Sequence, residues 1–189
     1  MIIKILGIGP GTSKLGWAML HYDTDSGNIR VKKTGLLQPT REISKVKHRD
    51  DVEMYSKRVM SLWYIRTHIE EIYNKYKPHV VASEDSFFNR FRPNSFAALL
   101  QVISTIAMML KYLCKPLYKF APKTVKMVMG SGGFDKDDMI QSLKDSDKIT
   151  IKNIDNISEH EIDAICVGYT YIQQVLPNLT NEQLALITK

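Results

Sequence analysis

The residues most able to do chemistry in this chain are carboxylates placed where apolar segments end. Glu84 directly follows the apolar segment 80–82. A carboxylate at the end of a buried strand is costly unless it is paired, and a divalent cation bound by oxygen ligands is one such partner. The residues alone leave a second interpretation open, in which Glu84 is an exposed glutamate at a strand terminus.

A second set of candidate metal ligands lies in the segment 158–164, which reads SEHEIDA. Ser158 and Glu161 have the spacing of a capping box, which predicts that a helix begins here. His160 and Asp163 are then three residues apart on one face of that helix, where imidazole nitrogen and carboxylate oxygen suit a metal ion. The alternative is that acidic residues simply favour the first turn of a helix through its dipole.

A glycine-rich turn follows the first apolar segment, where the chain reads ILGIGPGT over residues 5–12. Such a turn brings backbone close to a bound phosphate or metal ion, although a plain tight hairpin has the same pattern. A dinucleotide-binding turn is disfavoured because Thr12 stands at the third glycine position and Pro10 removes a backbone donor.

Aromatic and basic side chains alternate just after Glu84. Phe87, Phe88, Arg90 and Arg92 could stack on unpaired bases and contact phosphates. The phenylalanines could equally pack into the core. The net charge of +6 favours a polyanionic partner, of which nucleic acid is the commonest.

The elements that must position these residues follow from hydrophobic periodicity. Three strands joined by short turns predict an antiparallel meander, and two short strands follow later in the chain. Apolar residues at helical spacing predict long helices between and after these strands. The order predicts an α/β fold with a mixed sheet covered by helices on both faces. The predicted strands are 2–8, 15–22, 28–37, 80–82 and 117–121, and the predicted helices are 51–76, 94–113, 122–129, 135–143 and 158–175.

The bulk composition favours a globular protein of the cytoplasm. We expect one domain over residues 1–176 and a tail over 177–189. The start of the chain is typical of a first strand rather than a signal peptide, and we expect no membrane segment. Cys114 and Cys166 lie in apolar stretches and are expected to be reduced and buried, with a disulfide as the alternative.

Taken together, the motifs resemble those of the RuvC family of Holliday junction resolvases. The family opens with a strand and turn of the form ILGIDPG, and here Gly9 replaces the aspartate. Glutamate with phenylalanine three residues on is its second motif, matched by Glu84 and Phe87. Two further motifs follow, one that contains lysines and one that combines histidine with aspartate. Residues 121–126 and 130–136 match the first, and residues 160–164 match the second. The resemblance therefore spans residues 5–164.

The resemblance implies a ribonuclease H-like fold with a mixed five-stranded sheet, three antiparallel strands and then two more, flanked by helices. It implies a homodimer in a bacterial or phage-infected cell that binds four-way DNA junctions and makes paired symmetric nicks. Two Mg²⁺ ions would lie in each active site, with Mn²⁺ as a substitute. We expect the helix that follows Asn94 to form the dimer interface.

The resemblance also assigns roles to individual residues. Glu84 and Asp163 would be metal ligands, and His160 a ligand or a general acid and base. Lys136 and Lys126 would stabilise charge on the scissile phosphate, unless they are solvated surface charges. The implied DNA contacts are Phe87, Phe88, Arg90, Arg92 and Lys123.

Gly9 departs from the family motif, which has aspartate at this position, and this difference determines the predicted nicking activity. Glycine has no side chain and cannot bridge two metal ions, so we expect nicking to be impaired while the fold and DNA binding survive. Two alternatives stay open: a family member that binds junctions without cutting them, or replacement of the missing ligand by Asp85 or Glu161. An ATP-binding fold of the actin and sugar-kinase type is disfavoured, because it needs about twice this length.

Overall fold

The computed structural model describes residues 1–87, 90 and 93–188. Six strands and eight α-helices lie within these residues. The strands are β1 (Ile2–Gly9), β2 (Leu15–Asp23), β3 (Ile29–Leu37), β4 (Val80–Glu84), β5 (Leu117–Phe120) and β6 (Ile149–Thr150). The helices are α1 (Pro39–Ile43), α2 (Arg49–Tyr55), α3 (Lys57–Tyr76), α4 (Pro93–Tyr112), α5 (Pro122–Met129), α6 (Lys136–Asp145), α7 (Glu159–Gln174) and α8 (Asn181–Thr188).

The strands form one mixed sheet in the order β5-β4-β1-β2-β3-β6. β1, β2 and β3 pair antiparallel, and β4 and β5 extend the sheet beside β1 in parallel. The α/β class and the antiparallel meander predicted from the sequence are therefore confirmed. The predicted count of five strands is one short, because β6 is two residues long and too brief to show an alternating pattern.

Side chains from the two faces of the sheet form two separate cores, as the period of two in β1 requires. Ile3 and Ile5 point to the face that α7 covers, whereas Leu6 and Ile8 point to the face that α3 and α4 cover. Glu84, at the end of β4, is in the alternation of Val80 and Ala82 and so lies on the α7 face.

Helix α7 lies close to the sheet because the strand residues beneath it are glycines, which have no side chains. A Cβ atom added to Gly7 would lie 2.0 Å from the backbone oxygen of Ala164. A Cβ added to Gly16 would lie 1.9 Å from the backbone oxygen of His160. The glycines therefore let the first two turns of α7 rest on bare strand backbone, which fixes the height of Asp163 above the sheet.

The long helix predicted for residues 51–76 is divided at Ser56. The φ of Ser56 is 74°, so the chain leaves the helical conformation there and α3 begins at the next residue. The Ser56 hydroxyl accepts a hydrogen bond from the Val59 amide at 3.5 Å. The apolar spacing of the segment was uninterrupted, so periodicity alone did not reveal this break. The polar and basic residues 38–50 predict a loop, but the structure forms the short helix α1 within them.

Helix α4 is long and apolar enough to cross a membrane by length and composition, contrary to the expectation that no segment would qualify. One third of its most apolar 18-residue window is buried. A core helix of a soluble protein passes the same test, and α4 contributes Val102, Ile106 and Leu110 to the core on its face of the sheet.

Candidate active site

The catalytic candidates meet where β1 and β4 end. Gly7 of β1 lies beside Ala82 of β4, and both strands run two residues further, to Gly9 and Glu84. Asp163 of α7 stands above this point, since a Cβ added to Gly9 would lie 3.2 Å from the Asp163 Cβ. The cavity next to it measures about 390 Å³; it is lined by Glu84, Pro122, Val125, Lys126, Asp135, Lys136, Met139 and Asp163.

Glu84 lies in a poorly solvated position. Burial raises the pKa of its carboxyl group to about 7, and the negative charge of Asp163 adds to the increase. Lys136 and Lys126 act in the opposite direction but do not outweigh burial. Glu84 therefore holds a proton on about half of the molecules at neutral pH, unless a further positive charge enters the cavity.

Lys136 makes the closest polar contact in this cavity. Its ammonium donates a hydrogen bond to Asp163 Oδ2 at 2.7 Å and lies 3.4 Å from Glu159 Oε2. Burial is the largest single influence and lowers the pKa of Lys136, but the hydrogen bonds and negative charges of Asp163 and Glu159 together outweigh it, so the pKa is raised overall. The ammonium is therefore held on Asp163 in the charged form.

The first turn of α6 positions Lys136. Asp135 caps this helix by accepting from the Asp138 amide at 3.0 Å, and Asp138 accepts in return from the Asp135 amide at 2.9 Å. This reciprocal cap fixes the start of α6 and therefore the origin of the lysine side chain. Asp135 also lines the cavity, a position that the sequence motif did not reveal.

His160 lies on the other side of the glycine turn. It lines a neighbouring groove with Gly11, Lys14 and the first turns of α4, and it is not among the residues that line the carboxylate cavity. Its Nε2 atom lies 4.0 Å from Glu159 Oε1. His160 and Asp163 are three residues apart on α7, yet their side chains serve two different cavities.

Neither carboxylate considered as a replacement for the missing aspartate lines the cavity. Asp85 lies 3.4 Å from the ammonium of Lys119 and accepts a hydrogen bond from the Ser86 amide. Glu161 completes the cap of α7 by accepting from the amide and hydroxyl of Ser158 at 3.1 and 2.6 Å. Both side chains are therefore committed to local structure.

Gly9 fits closely beneath α7. A Cβ atom added there would lie 2.9 Å from the backbone oxygen of His160, which is closer than real Cβ atoms come to backbone. Glycine itself is accommodated, as expected. An aspartate at this position would require the first turn of α7 to move away from the strand.

The donors present do not fit a pair of divalent cations. Two such ions need several shared oxygen ligands, and the bridging position is glycine. Among the described residues, no group of three or more histidine, cysteine, aspartate or glutamate side chains is arranged to hold a metal ion. The cavity instead offers two carboxylates that face an ammonium group.

Three of the predicted DNA-contacting residues, Phe87, Arg90 and Lys123, are described and exposed. Phe87 is 57% exposed, which is unusual for a phenylalanine and leaves its ring available. Arg90 and Lys123 are exposed, and Lys126 is half-buried at the cavity wall. Phe88 and Arg92 lie outside the described residues.

The sequence analysis missed a second group of polar side chains beside the glycine turn. The groove that holds His160 measures about 460 Å³ and includes Ser13 and Lys14. A third cavity of about 380 Å³ adjoins it through Thr12 and contains Lys57 and Arg58. Lys14 follows the glycine-rich turn directly, and that position was the one indication available in the sequence.

Comparison with known proteins shows one consistent set of relatives. The chain is 27% identical over 168 residues to crossover junction endodeoxyribonuclease RuvC of Roseiflexus sp., which covers 88% of this chain and 90% of that protein. It is 28% identical over 169 residues to RuvC of Rickettsia conorii, which covers 88% of this chain and 94% of that protein. No protein-family model matches the chain.

Solved structures agree with these relatives. Thermus thermophilus RuvC in complex with a Holliday junction superposes with a TM-score of 0.68 at 15% identity, over 92% of this chain and 97% of that chain. Fowlpox virus resolvase with its junction DNA superposes with a TM-score of 0.55 at 17% identity, over 93% and 99%. The predicted ribonuclease H-like fold and the predicted resemblance to RuvC are thereby confirmed.

Proposed function

We propose that this chain, a relative of the RuvC-type crossover junction endodeoxyribonucleases, recognises four-way DNA junctions and carries a resolvase active site that Gly9 leaves impaired. The observation that carries this proposal is the cavity at the ends of β1 and β4, where two carboxylates and two lysines converge. The cavity combines groups that bind a phosphodiester with groups that act on it.

The lysines supply the phosphate-binding part of this function. Lys126 and Lys136 line the cavity from two different helices, α5 and α6, and both act electrostatically on Glu84. An ammonium group placed at a phosphate stabilises negative charge that develops on its oxygens during hydrolysis. Lys123, one turn before Lys126 on α5, is exposed and extends the positive surface toward the backbone of the DNA.

Glu84 and Asp163 are the catalytic carboxylates of this proposal. The resemblance to the RuvC family implies that two Mg²⁺ ions, or Mn²⁺ in their place, would bind between such carboxylates. With Gly9 in the bridging position, this chain retains the phosphate-binding groups but lacks one of the ligands that would hold those ions. Because His160 lines the neighbouring groove, we place it outside the metal site.

Junction DNA would contact the protein on both sides of the glycine turn. The exposed ring of Phe87 is suited to stack on a base that is unpaired at the crossover, with Arg90 beside it. Lys14 in the second groove offers a further phosphate contact. Phe88 and Arg92 complete the proposed contacts.

A homodimer would use the outer face of α4. Leu100 and Met108 are 43% and 65% exposed, and Trp63 of the adjacent helix α3 is 47% exposed. Large exposed apolar side chains on neighbouring helices are typical of a protein interface. Because a four-way junction has two-fold symmetry, a symmetric dimer would place two active sites on opposite strands.

We assign these activities to residues 1–176, with residues 177–189 as a tail, and to the cytoplasm of a bacterial or phage-infected cell. The tail contains α8, whose Leu184 and Ile187 pack against the core on the α7 face. A second candidate function is junction binding without any nicking, which the ion pair between Lys136 and Asp163 favours.

A gel-shift measurement in EDTA tests the DNA-binding part of the proposal. The full chain is titrated onto a four-way junction and onto a linear duplex of equal length, at two salt concentrations. We expect clearly tighter binding to the junction, and for Lys126→Ala a loss of about fivefold with a salt slope reduced by about 1. Lys152→Ala, at an exposed lysine that does not line the cavity, is the matched control. Equal affinity for the two DNAs would contradict the proposal.

A further inference from the structure

The carboxylate cavity lacks the negative charge that an aspartate at position 9 would supply, but its lining includes two lysines. Gly9 contributes no charge, so Glu84 and Asp163 are the two carboxylates at the end of the sheet. Asp135, the third acidic residue of the lining, is committed to the cap of α6. Lys126 and Lys136 are the two cations of the lining, and the Lys136 ammonium also lies 3.4 Å from Glu159 Oε2.

The position of Lys136 is the second observation. Its ammonium lies 2.7 Å from Asp163 Oδ2, which is hydrogen-bond distance to an oxygen that a metal ion would need. The reciprocal cap between Asp135 and Asp138 fixes the helix from which the lysine extends. The start of the lysine side chain is therefore fixed, and the ammonium reaches Asp163 from that point.

Two divalent cations would add four positive charges to a partly buried cavity that already contains two lysines. They would have to displace the Lys136 ammonium from Asp163 and lose part of their own hydration, with no carboxylate at residue 9 to compensate. The lysine, by contrast, satisfies Asp163 without further ligands.

We propose that the Lys136 ammonium serves as the resident counter-cation of the Glu84 and Asp163 carboxylates, and that this cavity does not bind a pair of divalent cations. This goes beyond the proposed function, because it would hold equally for a protein that never meets DNA. Junction binding in EDTA and metal binding without DNA are therefore separate measurements, and the result of one does not determine the result of the other.

Electron paramagnetic resonance of Mn²⁺ tests the inference, since bound Mn²⁺ loses the signal of the free hydrated ion. The full chain is titrated without DNA, together with Lys136→Met and, as a matched control, Lys126→Met. We expect no saturable binding to the parent chain up to about 1 mM Mn²⁺. We expect Lys136→Met to bind Mn²⁺ at least about tenfold more tightly than the parent, and Lys126→Met to show a smaller gain.

Two results would overturn the inference. One is saturable binding of two Mn²⁺ ions to the parent chain below about 1 mM, which needs no variant to fold. The other is Mn²⁺ binding by Lys136→Met that is no tighter than that of Lys126→Met. Asp163→Asn in the Lys136→Met background identifies the site, because it must abolish any gain.

Discussion

The two faces of the sheet are built in different ways. On the α7 face, Gly7, Gly9 and Gly16 leave strand backbone bare, and helix α7 rests on it. On the opposite face, Leu6 and Ile8 carry full side chains that fill the space beneath α3 and α4. The α7 face therefore has backbone contacts that leave no room for a Cβ atom at Gly7 or Gly16, whereas packing on the other face depends on side chains.

The proposed chemistry and the proposed dimer interface lie on opposite sides of this division. The charged cavity lies on the α7 face, at the end of the strands that hold Gly9 and Glu84. The exposed apolar side chains Trp63, Leu100 and Met108 lie on the helices that cover the other face. Close backbone contact restricts the position of Asp163, and a reactive site needs such positioning more than an apolar interface does.

The largest effect that we expect comes from adding a side chain to a glycine beneath α7. Gly16→Ala would place a Cβ 1.9 Å from the His160 backbone oxygen, so α7 must move away from the sheet. We expect a loss of about 4 kcal/mol in the free energy of unfolding, measured by urea denaturation. Gly133→Ala is the control, because its nearest neighbour would lie 3.7 Å away. A change below about 0.5 kcal/mol for Gly16→Ala would mean that α7 is not held against the backbone.

The next effect concerns the buried charge of Glu84, whose pKa is raised to about 7 by burial and by Asp163. At pH 4 Glu84 is protonated in the folded and unfolded states and its ionisation costs nothing. Above pH 7 it is ionised in both, and the folded state bears the cost of the buried charge, so stability falls as the pH rises from 4.5 to 7. Glu84→Gln removes this cost.

Urea denaturation in EDTA at pH 4 and pH 8 measures the effect. We expect Glu84→Gln to stabilise the folded chain by up to about 3 kcal/mol at pH 8 and by little at pH 4. Asp85→Asn, at the neighbouring carboxylate paired with Lys119, is the control and should show no such gain. A stabilisation that is the same at both pH values would contradict a raised pKa of Glu84.

The smallest of these effects tests the other face. Met108→Glu places a charge on the exposed side of α4 and should weaken a dimer by about 2 kcal/mol, or about thirtyfold. Analytical ultracentrifugation measures the change. Met127→Glu, at a similarly exposed methionine of α5, is the control and should leave the assembly unchanged. If the parent chain is monomeric at every concentration, or if both variants behave alike, α4 is not the interface.

The sequence predicted much of the α7 face because its motifs are short and local. A strand that ends in glutamate, and a capping box of Ser158 and Glu161 just before Asp163, place both carboxylates without knowledge of the tertiary structure. The direction of His160 could not be predicted in this way. Its side chain turns toward Gly11 and Lys14, and this depends on how α7 lies across the glycine turn.

The remaining differences arise from contacts between distant segments. The two residues of β6 form a strand because Ile29 and Arg30 of β3 offer free backbone beside them. The contact between Lys136 and Asp163 joins residues 27 apart in the chain, and no spacing rule indicates it. The break at Ser56 is a backbone conformation within a continuous apolar pattern, which periodicity does not detect.

Single-turnover nicking of a four-way junction in Mg²⁺ tests the central claim most directly, with the parent chain, Gly9→Asp and the isosteric Gly9→Asn compared after equal junction binding is established. Both variants carry the same added Cβ beneath α7, so they differ in the carboxylate alone. We predict that the parent and Gly9→Asn nick at least about 100-fold more slowly than Gly9→Asp. A parent chain that nicks the junction as fast as Gly9→Asp would contradict the claim that Gly9 limits this active site.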